Sequence, residues 1–208
     1  MKTPAFLLIL FTMLFASCKK DKSSENTGSS TQVPNSPGDY WKYSIKSFTG
    51  EQKGVLEVSI INKKILSNGR VVTTWIYSYP EFTDTVYKVL TGSSLLEYRK
   101  FPEITEINYP FMRYDFPLDP GRKWAINSPP YTDSVRVLKD TTINVPAGSF
   151  DNTAKLDFIG SHYIGNYYNR SLYWFTPNVG ITRMNYAVFN LGFDKYYGIY
   201  ELLEYRLK

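Results

Sequence analysis

LEVSIINKKILSNGRVVTTWIYSY, residues 56–79, is the stretch on which the fold class depends. Apolar side chains alternate with other residues from Leu56 to Ile60 and again from Val71 to Tyr79, which is the pattern of half-buried β-strands. Between the two runs stands Asn68-Gly69, a typical hairpin turn, because both residues tolerate the positive φ of a type I′ turn. The stretch therefore predicts two antiparallel strands joined by a tight turn.

The same alternation recurs along most of the chain that follows Gly38. Tyrosine, with 18 residues, is abundant, and aromatic residues favour strands. We find no convincing helical stretch. Further strands are predicted at Tyr40–Ile45, Thr83–Leu90, Ser94–Lys100, Glu103–Tyr109, Lys123–Asn127, Thr132–Asn144, Thr153–Ile159, Ser171–Phe175, Ile181–Phe189 and Tyr197–Leu207.

This count predicts an all-β fold. We expect a single antiparallel meander of about ten to twelve strands, strongly curved into a half-barrel or closed into a barrel-like sheet. A β-sandwich is the alternative. A Pro-Gly-x-x-Trp sequence occurs twice before a strand, at Pro37–Trp41 and Pro120–Trp124. It marks either one turn used twice or two half-domains, near residues 38–118 and 119–208.

The N-terminus has the pattern of an export signal. Lys2 is followed by an apolar run from Ala5 to Phe15 and by the small residues Ala16-Ser17. The run is too short to span a bilayer, which takes roughly 20 apolar residues. We therefore predict a removable signal peptide at residues 1–17, a flexible polar spacer at 18–38 and a β-rich domain at 39–208.

Small residues directly before Cys18 resemble the lipobox of bacterial lipoproteins. The resemblance implies that Cys18 becomes the acylated first residue and that its acyl chains, such as palmitate, anchor the protein to a membrane. Cys18 is the single cysteine of the chain, so acylation would also remove an exposed thiol. Lys19 then favours the outer membrane, because some bacteria use aspartate there to retain lipoproteins at the inner membrane. An ordinary secretory signal is the alternative.

The charge balance and the motifs exclude several function classes. Without Lys2, 23 basic side chains face 19 acidic ones, and the basic residues are scattered along the sequence. This pattern does not indicate a nucleic-acid partner. No phosphate loop, dinucleotide fingerprint or calcium loop is present, so we expect no cofactor.

Catalytic chemistry has weak candidates. His162 is the single histidine and has no second histidine or cysteine to complete a transition-metal site. We expect no metal site, no catalytic residue and no enzyme. The alternative is a hydrolase that uses Ser161-His162, or two carboxylates drawn from Glu97, Glu103, Glu106, Asp115 and Asp119.

One polar and aromatic stretch is a candidate for ligand contact. Tyrosine, asparagine and arginine side chains mix between residues 163 and 174, and aromatic faces give contact area with little loss of entropy. The loop residues that we predict to contact a glycan or a peptide are Tyr163, Tyr167, Tyr168, Asn169, Arg170 and Trp174. The alternative is that these aromatic side chains pack inside the β domain.

Several turn and core sequences, among them Val145–Phe150, Tyr173–Ile181 and Tyr200–Tyr205, resemble a group of exported bacterial proteins and lipoproteins of similar length. More distantly, the chain resembles the half-barrels of lipoprotein-localisation factors. That resemblance implies a concave face that holds an apolar ligand, although the helices that plug such half-barrels are missing here. We therefore expect a lipid-anchored domain that binds an apolar ligand or an envelope protein, or alternatively a surface glycan.

Overall fold

The computed structural model describes residues 33–101, 109–128, 131–164, 167–186 and 198–208, and the side chains of Ser128, Tyr131, 161–164 and 167–169 lie outside this description. Within these ranges the chain forms strands and turns without a helix, and so no helix there could cross a membrane. The strands are β1 (Tyr40–Lys46), β2 (Gln52–Ile65), β3 (Val71–Ser78), β4 (Thr83–Thr91), β5 (Ser94–Tyr98), β6 (Met112–Asp115), β7 (Lys123–Ser128), β8 (Tyr131–Val145), β9 (Gly148–Ile164), β10 (Tyr167–Thr176), β11 (Gly180–Tyr186) and β12 (Gly198–Arg206).

In the described part of the chain, these strands form one antiparallel sheet of 12 strands in the order β6-β5-β4-β3-β2-β1-β12-β11-β10-β9-β8-β7. The sheet curls until its two edge strands, β6 and β7, approach each other. Among the described residues no backbone ladder joins these two edges, so the barrel is nearly closed and has one unsealed seam. The predicted all-β meander is confirmed, and its sheet is continuous, as in a barrel and unlike a sandwich.

Two local predictions need correction or qualification. β6 was missed because a strand of four residues carries too little alternation to be recognised. The hairpin at Asn68-Gly69 is confirmed, but its turn is not type I′, since Gly69 has a positive φ of 78° and Asn68 does not. Instead, the Asn68 side chain accepts a hydrogen bond from the Arg70 amide at 3.0 Å. Most of the strand predicted at Glu103–Tyr109 lies outside the described residues.

The repeated Pro-Gly-x-x-Trp sequence marks the start of two halves with six strands each. In the first half, Gly38 has a φ of 95°, its amide donates to the Ile60 carbonyl at 2.7 Å, and the Ile60 amide donates back to Asp39 at 3.0 Å. A positive φ of this size is open to glycine at little cost. The turn fixes the register of β1 against β2 and leads into the buried Trp41.

The second half repeats this geometry. Gly121 has a φ of 87°, its amide donates to the Val137 carbonyl at 2.9 Å, and the Val137 amide donates back to Arg122 at 2.9 Å. Trp124 follows and is buried, as Trp41 is in the first half. The two sequences are therefore one turn used twice, at the first strand of each half.

The buried side chains form two large clusters. The first contains Trp41 and Trp75, whose rings stack with their centroids 5.0 Å apart. The second surrounds Leu156 and includes Trp124 and Phe175. Val33 packs against the second cluster, so the folded domain includes residue 33.

The β8–β9 hairpin extends past the end of β10. Its tip reaches β12, where the Ala147 amide donates to the Leu202 carbonyl at 2.9 Å. Ile143 and Val145, near the tip, are buried in the first cluster with Trp41. The tip of this hairpin therefore packs against the core.

Candidate functional site

A cavity of about 430 Å³ lies in the barrel interior, near the end that carries the β3–β4 turn. Its walls come from both halves of the sheet, for example Val86 on β4 and Phe158 on β9. Small-molecule sites in proteins typically occupy about 300 to 1,000 Å³. The cavity is therefore large enough for a small ligand.

Six tyrosines line this cavity: Tyr77, Tyr79, Tyr114, Tyr173, Tyr186 and Tyr200. Burial raises the pKa of Tyr77, Tyr114 and Tyr173 well above 10, and the negative charge of Glu97 raises all three further. Their hydroxyl groups are therefore neutral at physiological pH. A neutral tyrosine hydroxyl can both donate and accept a hydrogen bond, so the cavity offers a ligand polar groups on an aromatic wall.

A buried ion pair lies at the cavity wall. Lys88 on β4 and Glu97 on β5 are directly opposite in the ladder, and Lys88 Nζ is 2.6 Å from Glu97 Oε1. Both side chains are buried, with exposed fractions of 7% and 8%. Lys88 Nζ also lies 3.8 Å from the centroid of the Trp75 ring, where a cation–π contact adds attraction. The pair holds two opposite charges at fixed positions beside the tyrosines.

The charged residues near the turn end of the cavity are more exposed. Arg99 pairs with Asp84, the second residue of β4, and the Arg99 side chain is 54% exposed. Its guanidinium carbon lies 4.3 Å from the Phe111 ring centroid. All three residues line the cavity, so its outer part has a polar rim and its inner part an aromatic wall.

A narrower space of about 60 Å³ continues towards the stacked tryptophans and shares Tyr77, Lys88 and Glu97 with the main cavity. Val33 and Pro34, from the predicted spacer, line it. The next residue, Asn35, accepts a hydrogen bond from the Thr73 hydroxyl at 2.6 Å. The last residues before the first strand thus pack against the barrel and border the inner space.

The described members of the predicted contact loop lie elsewhere. Trp174 is adjacent in β10 to the cavity-lining Tyr173 and so points to the outer face, where it is 9% exposed. Arg170 is exposed and donates two hydrogen bonds to Asp157, at 2.7 and 2.9 Å. The remaining predicted residues continue the β9–β10 hairpin, where Tyr163 pairs with Tyr168, and the side chains of Tyr163, Tyr167, Tyr168 and Asn169 lie outside the described part.

Among the predicted carboxylates, Glu97 lines the cavity and Asp115 does not. Asp115 Oδ1 accepts hydrogen bonds from Ser94 and from Arg113, both at 2.6 Å. Asp119 is exposed, and Glu103, Glu106 and the His162 side chain lie outside the described residues. In the ranges that are described, no three histidine, cysteine or acidic side chains group as a metal site requires.

Sequence reasoning missed most of the cavity. Lys88 and Arg99 were not singled out, nor were the cavity-lining Asp84 and Asp133. A signal was present in β4 and β5, where Lys88 and Glu97 take positions of the inward face that apolar residues usually occupy. Two neighbouring strands each have one charged residue here, and the two positions pair across a short hairpin. This pattern could have indicated a polar barrel interior.

Comparison with known proteins gives a fold relationship. No model of a protein family matches the chain, and no curated protein matches it. A solved structure from Bacteroides fragilis, of a protein inferred to be exported and to have a YmcC-like fold, aligns with a TM-score of 0.53 at 15% identity, over 84% of this chain and 98% of that one. An inferred lipoprotein from Parabacteroides distasonis aligns with a TM-score of 0.48 at 14% identity, over 85% and 98% of the two chains. This chain thus shares the fold of the B. fragilis protein.

Proposed function

We propose that this protein is a lipid-anchored envelope protein whose barrel binds a small amphipathic molecule in the cavity of about 430 Å³. The observation that carries the proposal is the lining: six tyrosines together with the buried Lys88–Glu97 pair. This wall presents both aromatic surface and hydroxyl or charged groups, so a ligand that has both apolar surface and hydrogen-bonding groups complements it better than a purely apolar one. The proposed ligand therefore combines an apolar or ring-shaped body with a few hydrogen-bonding groups.

The proposed location follows from the N-terminal sequence. Residues 1–17 have the pattern of an export signal, and Cys18 follows the small residues that a lipoprotein signal requires. The fold is shared with a protein inferred to be exported. The proposal includes acylation of Cys18 and the outer membrane as destination, with Lys19 as the sorting residue. More than one acyl chain makes such anchoring stable.

The cavity supports binding more than catalysis. Glu97 is paired with Lys88, and Asp84 is paired with Arg99, so these two carboxylates are engaged by cations. A general acid or base needs a carboxyl group whose pKa is adjusted to proton transfer near neutral pH. The glycan-binding alternative gains nothing from Trp174, because its ring is buried beneath the cationic side chains of Lys155 and Arg183.

Native mass spectrometry of residues 33–208, purified gently from a bacterial host, tests the proposal. We expect a bound small molecule, and extraction with organic solvent should release it for identification. A Met184→Trp variant should reduce its occupancy, because Met184 lines both spaces and the larger ring would fill them. An Ile61→Trp variant is the matched control, since Ile61 is 59% exposed on the outer surface.

Both variants should unfold at temperatures close to that of the parent protein. The proposal fails if the purified protein carries no bound molecule and, in addition, none of a panel of amphipathic lipids and aromatic compounds binds to it in solution. It also fails if Met184→Trp and Ile61→Trp retain the same occupancy, because the molecule would then bind outside the cavity.

A further inference from the structure

Basic side chains gather on the outer face of strands β7–β12. Phe158 and Tyr173 line the cavity, so their strand neighbours Asp157 and Trp174 point outward. The backbone ladders place other residues level with these two in rows that cross the sheet. The grouping is invisible in the sequence, because its members come from seven strands.

The first row contains Asp157. The ladders align it with Lys123 and Arg136 on one side and, through Leu172, Asn185 and Ile199, with Lys46 of β1 on the other. Arg170 reaches the same row, because its guanidinium bonds to Asp157. The row thus holds four basic side chains and one acidic side chain.

The second row lies two residues further along the strands and contains Trp174. Lys155 and Lys139 are level with it on one side, and Arg183 and Glu201 on the other. This row adds three basic side chains and one acidic side chain. We call the two rows with Arg170 the basic face; its charged residues are Lys46, Lys123, Arg136, Lys139, Lys155, Asp157, Arg170, Arg183 and Glu201.

The two acidic residues do not neutralise the basic face, because each is shared between two cations. Asp157 accepts from both Arg136, at 3.3 Å, and Arg170, at 2.7 Å. Glu201 binds Lys46 at 2.9 Å and lies 3.7 Å from Arg183. Among the described residues no carboxylate pairs with Lys123, Lys139 or Lys155.

The basic face is strongly positive. Seven basic and two acidic side chains lie on it, so its local net charge is +5. The whole chain has 24 basic and 19 acidic side chains, also a net charge of +5, so the remaining 17 side chains of each sign balance.

We propose that the basic face docks the barrel sideways onto an anionic lipid surface. The face spans seven neighbouring strands of the curved sheet, so its charges are spread over a broad convex surface and match a continuous anionic surface better than a single small anion. Among the side chains of this face that the structure describes, no aromatic ring is available for stacking on a base or a sugar, since Trp174 is covered. This distinguishes the face from a platform for single-stranded nucleic acid.

The predicted tether makes such docking geometrically possible. Residues 18–32 connect the proposed acylation site to the segment that packs on the barrel, and a flexible chain of this length would span about 20 Å. That distance lets the barrel reach the lipid headgroups. At physiological salt, electrostatic attraction acts within about 8 Å of them. The reach of the tether depends on the proposed acylation of Cys18, whereas the charge of the basic face does not.

Vesicle flotation of residues 33–208 tests the proposal without the acyl chains. Vesicles of phosphatidylcholine alone are compared with vesicles that contain phosphatidylglycerol as well. The variant Lys123→Gln/Lys139→Gln removes two charges from the basic face, and Lys53→Gln/Lys63→Gln removes two exposed charges of β2. Each basic residue near an anionic membrane strengthens binding roughly fivefold, so the first variant, which loses two, should bind about 25-fold more weakly.

We expect binding to the anionic vesicles that falls at high salt, persists in the β2 variant and is lost in the basic-face variant. Equal binding to neutral and anionic vesicles would overturn the proposal, as would equal losses in the two variants. Retention on an anionic polysaccharide that depends on Lys123 and Lys139, combined with no vesicle binding, would also overturn it and would assign the face to a polymer partner.

Discussion

The Trp124 indole Nε1–H donates a hydrogen bond to the Arg113 carbonyl oxygen at 2.8 Å, and this bond connects β7 to β6 across the unsealed seam. Trp124 is 9% exposed, so its ring is part of the second core cluster while its polar edge reaches the opposite strand. At the seam, a side-chain hydrogen bond thus links the two edge strands, whereas backbone ladders link the other neighbouring strands of the described sheet.

Replacing Trp124 by phenylalanine should loosen the seam. The substitution removes the donor, and a lost hydrogen bond of this kind lowers the free energy of unfolding by about 1 kcal/mol, with a further loss from the smaller ring. Amide hydrogen exchange should become faster in β6 and β7 than in β1 and β12.

A matched control is Trp41→Phe, which removes an indole hydrogen bond of 2.6 Å to the Val179 carbonyl away from the seam. It should lower global stability without selective exchange at β6 and β7. Uniform exchange in both variants would contradict the role of Trp124 at the seam.

Removing one partner of the Lys88–Glu97 pair should destabilise the barrel strongly. Lys88→Met leaves the Glu97 carboxylate buried without its cation, which typically costs about 3 to 5 kcal/mol. The double variant Lys88→Met/Glu97→Leu removes both charges and should recover most of that loss. Urea unfolding of the parent, both single variants and the double variant measures the coupling; additive effects would show that the pair contributes no more than its separate side chains.

Alkaline pH should unfold the protein through its buried tyrosines. The folded-state pKa values of Tyr43, Tyr77, Tyr114 and Tyr173 are raised well above the ordinary value of 10, chiefly by burial. The folded state therefore keeps protons that the unfolded chain releases, so this stabilisation is complete below pH 10 and is lost as the pH rises above it.

Each such tyrosine should lower the free energy of unfolding by about 1.4 kcal/mol per pH unit above the unfolded pKa. Unfolding curves at several alkaline pH values, followed with phenolate absorbance, measure the slope. Tyr114→Phe should reduce the slope by about one proton relative to the parent. Phenolate formation by all tyrosines in the folded protein would contradict the expectation.

Trp174→Ala separates a structural role from ligand contact. Because the ring is buried in the first core cluster, we expect a loss of about 3 kcal/mol in the free energy of unfolding. Arg170→Ala removes two hydrogen bonds from the buried Asp157 carboxylate, which keeps Arg136 at 3.3 Å, and should cost about 1.5 to 3 kcal/mol. Thermal unfolding of both variants, together with a glycan array, checks this; loss of glycan binding by folded Trp174→Ala would restore the loop hypothesis.

The strand pattern was readable from the sequence because alternation reports that one face of a strand is buried. It does not report which face lies inside a barrel. In β4, Val86 and Lys88 line the cavity. Val89 points to the opposite face of the strand, where it packs in a small outer cluster with Val72 and Tyr98. With apolar residues on both faces, the inward position of Lys88 is set by the curl of the whole sheet.

The candidate site was less predictable than the fold. The tyrosines were counted as evidence for strands, yet their convergence on one cavity depends on the register of strands from both halves. The basic face is a similar case, since Lys155 and Arg183 become neighbours of Trp174 only through the ladders of β9, β10 and β11. Cross-strand register of this range is not encoded in local periodicity.

The seam lies between β6 and β7, so the first and last strands of the chain, β1 and β12, are neighbours in the middle of the sheet. β1 pairs with β12, so that Tyr40 lies opposite Arg206, and this pairing of the chain ends must form before the two halves share one sheet. The Lys208 amide also donates to Asp39 at 2.8 Å, so the described ends of the chain are close together. A circular permutant with joined ends, opened between β6 and β7, would pair every strand only with its neighbours in sequence. Because local pairings cost less loop entropy, the same barrel would then assemble faster.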